Sequence, residues 1–158
     1  MSDFELDTNR IDEIIAEKGE IITCSSGFSM YPMLRNRKDM VIIKKPQSRP
    51  KLHDVVLYRI GKKVILHRII KDLGDSYIIR GDNRLNKEYG ITPDDIFGVL
   101  KGYYRNGKYI DCNESKPYRI YIIFNRVTLP FRFLWHKVWK GFVLRALSKI
   151  KRTLFKIK

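Results

Sequence analysis

The stretch GFSMYPML, residues 27–34, contains one serine, Ser29, shortly after an apolar run. Gly27 and Pro32 predict a tight turn around this serine, and most serines in turns do no more than shape the backbone. A serine hydroxyl can also attack a carbonyl carbon, but at neutral pH it is a poor nucleophile without a base within hydrogen-bond reach. Ser29 is therefore a candidate nucleophile only if another part of the chain supplies a base.

His67 is the strongest candidate for that base. His53 lies in a predicted turn and His136 in a basic helix, where a solvated side chain is the simplest interpretation. His67 lies in the middle of a predicted strand, KVILHRII (63–70), and alternation places it on one face with the isoleucines two positions away on either side. Such a histidine is either a core residue with satisfied hydrogen bonds or a base in a partly dry site.

A polar segment, RGDNRLNKEYG (80–90), follows the next predicted strand. Its carboxylates, Asp82 and Glu88, could each orient an imidazole through the second ring nitrogen, which is the third role in a serine triad. The alternative is an Asx turn that closes two strands. The tripeptide Arg-Gly-Asp also occurs in cell-adhesion ligands, but a match of three residues is frequent by chance. The residues alone do not decide whether Asp82 or Glu88 would orient the imidazole.

The hydrophobic pattern predicts the elements that would position these side chains. Asn9 to Lys18 is typical of a short amphipathic helix that ends at Gly19. About seven strand-like runs follow, separated by turn signals such as Asn106-Gly107. They are 20–24, 39–45, 54–60, 63–70, 76–80, 96–105 and 108–112. We therefore expect a mostly β fold: an N-terminal helix within 1–19, a small, coiled, antiparallel β-domain over 20–114, and amphipathic helices over 115–158.

The segment 115–158 contains twelve Lys or Arg and no Asp or Glu, so it carries most of the net charge of +15. Pro130 predicts a break between two helices. In the second helix, four aromatic residues, Phe131, Trp135, Trp139 and Phe142, recur at helical spacing, and basic residues lie largely on the other side. The predicted membrane-contact residues are Phe131, Trp135, Trp139, Lys137 and Lys140.

This composition predicts peripheral binding to anionic lipid through residues 131–157. The alternatives are that the apolar face docks on the β-domain or on a second copy, or that the basic residues bind nucleic acid. Because the aromatics gather on one face, a membrane or a core suits them better than base stacking. The oligomeric state is not predicted.

The rest of the composition favours a cytoplasmic protein at a membrane surface. Cys24 and Cys112 are too few for a disulfide framework and lack metal-ligand spacing, so neither a metal nor another cofactor is predicted. The N-terminus has acids from its third residue and no apolar core, unlike a signal peptide. No window of about 18 residues escapes charge, so no bilayer-spanning helix is expected.

The order of the motifs is more specific than any one of them. S-M-x-P at 29–32, D-V-V-x-Y at 54–58, H-R-I at 67–69 and G-D-N at 81–83 follow one another within about residues 20–105. This series resembles the catalytic domain shared by type I signal peptidases and the self-cleaving repressor peptidases. Histidine in the base position resembles the endoplasmic-reticulum, archaeal and spore-former type, whereas most bacterial signal peptidases and the self-cleaving repressors carry lysine there.

The resemblance implies a role for each matched position. Ser29 would be the nucleophile and His67 the base, and the backbone N–H groups of Ser29 and Met30 would form the oxyanion hole. A peptide substrate would bind beside Gly27, Phe28 and Pro32. The function implied is a serine endopeptidase that cleaves a leader or signal-type peptide at or near a membrane.

Three departures from the pattern accompany the resemblance. Residues 36–38 lack the glycine usually found before the aspartate at 39, and His53 replaces the glycine before Asp54. Signal peptidases carry a transmembrane helix just before the serine, whereas only the short helix at Asn9 to Lys18 is expected there. Counting along the similar peptidases places their third catalytic residue nearer Glu88, whereas Asp82 has the more rigid setting. The alternative function is a non-catalytic β-domain that binds a partner and attaches to a membrane or, less readily, to nucleic acid through its basic helix.

Overall fold

The computed structural model describes the backbone of residues 10–155 and the side chains of residues 10–135, 138 and 139. Within this part, a short helix α1 precedes a single eight-stranded antiparallel sheet, and a long helix α2 follows it. The elements are α1 (Ile11–Lys18), β1 (Glu20–Cys24), β2 (Met40–Lys44), β3 (Val55–Ile60), β4 (Lys63–Asp72), β5 (Tyr77–Arg80), β6 (Glu88–Ile91), β7 (Ile96–Arg105), β8 (Lys108–Asp111) and α2 (Lys116–Phe155), with a 3-10 turn at Pro93–Asp95.

The sheet has the strand order β1-β2-β7-β3-β4-β5-β6, and β8 pairs with β7. The register shifts once in each of the pairs β2–β7, β3–β7, β4–β5 and β5–β6. Each such irregularity bends a strand and increases its twist, so the sheet coils. The expectation of a mostly β, antiparallel fold with a short N-terminal helix is confirmed.

Two hydrophobic clusters pack against this sheet. Strand β3 contributes to both, because its side chains alternate: Val55 and Leu57 belong to the first core cluster, and Val56 and Tyr58 to the second. Helix α1 adds Ile15 to the first cluster. All four of these β3 residues are buried, so β3 is a rigid central strand from which a side chain can be held in place.

The sequence pattern located most elements to within two residues but missed β6. Only Ile91 of β6 is buried, and its other three residues are polar, exposed or lack a side chain. Strand β6 therefore has no apolar alternation to reveal it, and the segment 80–90 was expected to be a turn throughout. The hairpin predicted at Asn106-Gly107 is confirmed, since both residues adopt the left-handed backbone of a two-residue turn, with φ of 51° and 77°.

The prediction that Pro130 breaks the C-terminal segment is wrong, because α2 continues through it. A proline removes one backbone donor, and a helix survives this loss when the turns on either side keep their hydrogen bonds. Internal contacts divide the chain after Ile123, so the first two turns of α2 belong to the same compact unit as the sheet. None of the described helices has an apolar stretch sufficient to cross a bilayer.

The second unit begins at Phe124 and contains the rest of α2. Seven apolar side chains, each at least half exposed, recur along it at three- and four-residue steps, and we call them the apolar stripe. They are Phe124, Val127, Phe131, Leu134, Trp135, Val138 and Trp139. The rings of the two tryptophans lie 6.3 Å apart, centroid to centroid. The side chains of His136, Lys137 and Lys140 lie outside the described residues, as do those of residues 141–157.

Candidate active site

The loop that carries Ser29 is fixed by hydrogen bonds among its own residues. Ser25 donates through its hydroxyl to the carbonyl of Arg35 at 2.8 Å, and the backbone N–H of Gly27 donates to Asn36 Oδ1 at 2.9 Å. Gly27 has a φ of 87°, which a residue with a side chain rarely adopts. Ser29 itself is half-buried, so the loop presents a hydroxyl at the edge of the core.

The base of this loop is closed by a buried carboxylate, Asp39. Its side chain accepts hydrogen bonds from the backbone and guanidinium of Arg35 and from the guanidinium of Arg105, at 2.7 to 3.2 Å. Burial alone would raise the pKa of Asp39, but the hydrogen bonds from the two arginines outweigh burial and leave the pKa below its usual value. Asp39 is therefore ionised, and its carboxylate holds the loop in place through these hydrogen bonds.

His67 and Glu88 form the second half of the site. His67 Nδ1 lies 2.9 Å from Glu88 Oε2, and the two side chains are 6% and 26% exposed. His67 comes from the middle of β4 and Glu88 from the first residue of β6. Because a carboxylate oxygen can only accept, Nδ1 carries the proton of a neutral imidazole in this arrangement, and Nε2 is left as the acceptor.

Tyr58 contacts both members of this pair. Its hydroxyl donates to Glu88 Oε2 and lies 3.3 Å from His67 Nδ1. Burial raises the pKa of Tyr58, and the hydrogen bond to Glu88 raises it further, so the phenol stays protonated and remains a donor. One oxygen of Glu88 thus accepts from a tyrosine and a histidine together.

Gly81 marks the point where Ser29 and His67 meet. A Cβ atom on Gly81 would lie 2.7 Å from the carbonyl oxygen of Ser29 and 2.9 Å from His67 Nε2. The separation of these two atoms therefore cannot exceed the sum of those distances. Asn83 holds the serine peptide in this place. Its backbone N–H donates to the Ser29 carbonyl at 2.7 Å, and its side-chain amide donates to the Phe28 carbonyl at 3.2 Å.

The peptide of Ser29 lies beside the base, but its hydroxyl is not bonded to it. Among the described residues, no hydrogen bond joins Ser29 Oγ to His67. Catalytic hydrogen bonds are often long without substrate and tighten when it binds. The backbone N–H groups of Ser29 and Met30 likewise donate to no acceptor within residues 10–155, so two adjacent donors are available beside the hydroxyl.

Asp82, the rival to Glu88, has a different partner. It forms a bidentate ion pair with Arg68, with N–O distances of 2.8 and 2.7 Å, and both side chains are less than 5% exposed. Tyr121 donates to the same carboxylate at 3.2 Å. The carboxylate that contacts the imidazole is thus Glu88, and Asp82 belongs to a separate buried network.

Arg68 ties this network to the rest of the domain. Its guanidinium also donates to the carbonyl of His53 at 2.8 Å, to the hydroxyl of Tyr118 at 2.9 Å and to Met33 Sδ at 2.8 Å. Met33 lies in the loop that carries Ser29, and Tyr118 lies in the first turn of α2. Since Arg68 follows His67 directly on β4, the network fixes the strand that carries the histidine.

The two missing glycines coincide with strained backbone. Arg37 and His53 have φ values of 53° and 78°, in the left-handed region that favours glycine. These are the two places, 36–38 and 53, at which the resemblance described above implies a glycine. The chain therefore keeps the backbone conformation that those glycines would permit, with side chains that oppose it.

The remaining predicted residues surround the serine without a bond to the imidazole. Phe28 is 66% exposed beside Ser29, and Met30 is buried beneath it. Pro32 follows Tyr31 through a cis peptide bond. No cluster of His, Cys, Asp or Glu that could hold a metal occurs among the described residues. Burial raises the pKa of the Cys112 thiol to about 12, so this cysteine is not an activated nucleophile.

Sequence reasoning overlooked three residues of the site: Tyr58, Arg68 and Gly81. Tyr58 had a signal, because the β3–β4 hairpin pairs Val56 with His67 and so places Tyr58 on the face of the histidine. Gly81 had only its place in G-D-N. The pairing of Arg68 with Asp82 depends on the contact between β4 and β5, which no local pattern reveals.

No protein-family model matches this chain, and comparison with curated proteins also finds no match. The function is therefore inferred from the geometry of the site.

Proposed function

We propose that this protein is a serine endopeptidase similar to those of the signal-peptidase clan. Ser29 is the nucleophile, His67 the general base and Glu88 the carboxylate that orients the imidazole. The observation that carries the proposal is the arrangement around His67. Its Nδ1 lies 2.9 Å from Glu88, and its Nε2 borders the same glycine as the peptide of Ser29. A serine–histidine–acid mechanism requires a carboxylate on one ring nitrogen and the serine hydroxyl within reach of the other, and this arrangement supports the first of these contacts directly.

In the first step the Ser29 hydroxyl attacks the carbonyl carbon of a bound peptide, and His67 Nε2 takes the hydroxyl proton. Glu88 stabilises the imidazolium that forms. The oxyanion accepts hydrogen bonds from the backbone N–H groups of Ser29 and Met30, each worth on the order of 3 kcal/mol in such sites. His67 then gives its proton to the leaving amine, and a water molecule hydrolyses the acyl-enzyme by the same route.

The substrate proposed is a leader or signal-type peptide with small residues near the cut. Strand β1 pairs with β2 on one side only, and the chain leads from it into the serine loop. An extended peptide that adds a strand to this edge would pass towards Ser29. Gly27, Phe28 and Pro32 lie along that path, and exposed Phe28 would contact apolar side chains of the substrate.

The peptidase acts at a membrane surface in this proposal, bound through α2. The apolar stripe carries two tryptophans, and residues 115–158 contain twelve bases and no acid. Tryptophan suits the lipid interface, and each base near an anionic surface contributes on the order of 1 kcal/mol. The same charge opposes self-association through the stripe.

Cleavage is tested with the full chain and a library of synthetic leader peptides, with products read by mass spectrometry. We expect defined cuts after small residues, lost in Ser29→Ala and His67→Ala. Ser26→Ala is the matched control, because Ser26 lies in the same loop and is exposed. Cleavage that persists in Ser29→Ala would overturn the proposal.

Membrane binding is tested by flotation with phosphatidylcholine vesicles, with and without phosphatidylserine. We expect flotation with the anionic vesicles only, weaker at high salt, and lost when Trp135 and Trp139 are both changed to alanine. Tyr89→Ala removes an aromatic side chain of similar exposure from the β-domain and should leave flotation intact. Equal flotation of the tryptophan variant and the wild type would exclude this surface.

The second candidate is a non-catalytic domain that binds a partner. The observation in its favour is that Ser29 Oγ donates no hydrogen bond to His67 among the described residues. It predicts no Ser29-dependent cleavage of any peptide in the library. A salt-sensitive shift of DNA or RNA, with no flotation, would identify nucleic acid as the partner of the basic helix.

A further inference from the structure

We propose that Tyr58 is a positioning residue of this site: its hydroxyl fixes the carboxylate of Glu88 against His67. The inference rests on the proposed peptidase function and deepens it. Tyr58 would touch neither the substrate nor the reacting atoms. It would act through the carboxylate of Glu88, although its hydroxyl also lies 3.3 Å from His67 Nδ1.

The sheet places Tyr58 where it can do this. Strands β3 and β4 pair Val56 with His67 and Tyr58 with Ile65, so tyrosine and histidine side chains project from one face. Tyr58 is fully buried in the second core cluster. Its hydroxyl donates to Glu88 Oε2, the oxygen that His67 Nδ1 also contacts at 2.9 Å.

Glu88 has little else to hold it. Strand β6 is four residues long, pairs with β5 alone, and has a register irregularity in that pairing. A glutamate side chain loses much of its rotamer freedom when it is fixed, so a second contact is needed to hold it. A strand this short at the end of a sheet sets the backbone of Glu88 but not its carboxylate. Tyr58 offers a fixed donor from the most buried strand of the domain.

A buried tyrosine also needs a partner for its own hydroxyl, so the contact alone does not separate positioning from ordinary core packing. Tyr77 makes the distinction testable. It is equally buried in the same cluster, and its hydroxyl donates to a backbone carbonyl, that of Pro50, at 2.8 Å. Tyr77→Phe is thus a matched control that removes one buried hydroxyl without touching Glu88.

The first experiment is a double-mutant cycle on peptide cleavage by the full chain. Tyr58→Phe should lower kcat about tenfold with little change in KM, the size expected for one hydrogen bond to a charged group. In a Glu88→Gln background the same change should have no further effect, because the carboxylate that it positions is gone. An equal loss in both backgrounds, or an equal loss in Tyr77→Phe, would overturn the inference.

The second experiment does not depend on cleavage. In the Ser29→Ala protein, proton NMR should show a low-field imidazole N–H resonance for His67, which Glu88→Gln removes. Tyr58→Phe should shift or broaden this resonance, and Tyr77→Phe should leave it unchanged. If no peptide is cleaved but the resonance responds to Tyr58, the peptidase proposal fails and the positioning role stands. If cleavage depends on Ser29 but neither experiment responds to Tyr58, the positioning role fails alone.

Discussion

His67 Nδ1 lies 2.9 Å from Glu88 Oε2, and His67 Nε2 borders Gly81, which also borders the carbonyl oxygen of Ser29. The two ring nitrogens are therefore committed to different tasks. Glu88 fixes the tautomer from one side, and in the proposed mechanism Nε2 on the other side takes the proton of the Ser29 hydroxyl.

Glu88→Gln tests directly whether the carboxylate sets the roles of the two ring nitrogens of His67. An amide at this position can donate its own proton to Nδ1 and so favour the wrong tautomer, and it carries no charge to stabilise the imidazolium. We expect kcat for peptide cleavage to fall by about 10² to 10⁴, with KM nearly unchanged. Glu17→Gln, at an exposed position of α1, should cleave at the wild-type rate. A Glu88→Gln enzyme as fast as the wild type would rule out the acid's role.

Gly81→Ala should abolish cleavage without unfolding the protein. The new methyl group would lie within 3.0 Å of both the Ser29 carbonyl oxygen and His67 Nε2, so it would push the serine peptide and the base apart. Gly74→Ala is the comparison, because its Cβ meets open space but its φ is 92°. It should cost about 1 kcal/mol of stability and keep full activity. Urea unfolding and cleavage assays on both variants would be compared, and an active Gly81→Ala would contradict the geometry.

Asp82→Asn should act on stability rather than on the imidazole. It leaves Arg68 buried without its counter-charge, which typically costs about 3–5 kcal/mol. Glu20→Gln removes an exposed ion pair with Lys44 and should cost no more than about 1 kcal/mol. The free energy of unfolding in urea measures both changes. A loss below that of the surface control would mean that the Arg68–Asp82 pair does not hold the domain together.

Arg37→Gly should stabilise the protein by about 0.5 kcal/mol. Glycine relieves the strain of the left-handed backbone at Arg37. This gain in stability outweighs the loss that comes from the greater freedom of glycine in the unfolded chain. Lys38→Gly, at the neighbouring exposed position with an ordinary φ, should instead destabilise by about 0.5–1 kcal/mol. Thermal unfolding of the two variants should therefore move in opposite directions. A fall in stability for both would show that no strain is stored at Arg37.

Asp39 should make the fold sensitive to acid. Its pKa is lower in the folded protein than the usual value of 3.8, because the Arg105 and Arg35 hydrogen bonds outweigh the effect of burial. The stability that ionised Asp39 adds to the folded protein is fully present above the unfolded pKa. It is lost as the pH falls below 3.8 and through the folded pKa. Asp39→Asn should lower stability at pH 7 and flatten its decline over that acid range. Unfolding curves from pH 7 to pH 2 would measure this, and equal slopes for the two proteins would contradict it.

The sequence predicted those parts of the site that lie on strongly patterned elements. His67 was singled out because a histidine interrupts an apolar alternation, and Ser29 because a turn follows an apolar run. Glu88 could be singled out only by counting positions along the peptidases that the sequence resembles, since β6 has almost no apolar pattern of its own. Its contact with His67 arises from tertiary packing: β5 pairs with β4 on one side and with β6 on the other.

Continuity through Pro130 was mispredicted for a related reason. A local rule gives the cost of one proline but not the sum of the hydrogen bonds in the turns around it. The partner of Asp82 was also beyond local reasoning, because Arg68 and Asp82 are joined only when β4 and β5 pair.

Arg68 donates a hydrogen bond to the hydroxyl of Tyr118, and the hydroxyl of Tyr121 donates to Asp82, so both members of the buried ion pair depend on the start of α2. A chain shortened to end at Glu114 would keep every strand yet strip both hydroxyl partners from the buried ion pair. The tetrad of Tyr118, Tyr121, Arg68 and Asp82 closes only when the first turns of the cationic helix are present. A cut in α2 before Tyr118 would therefore remove both partners from the ion pair, whereas a cut beyond Tyr121 would leave both hydrogen bonds in place.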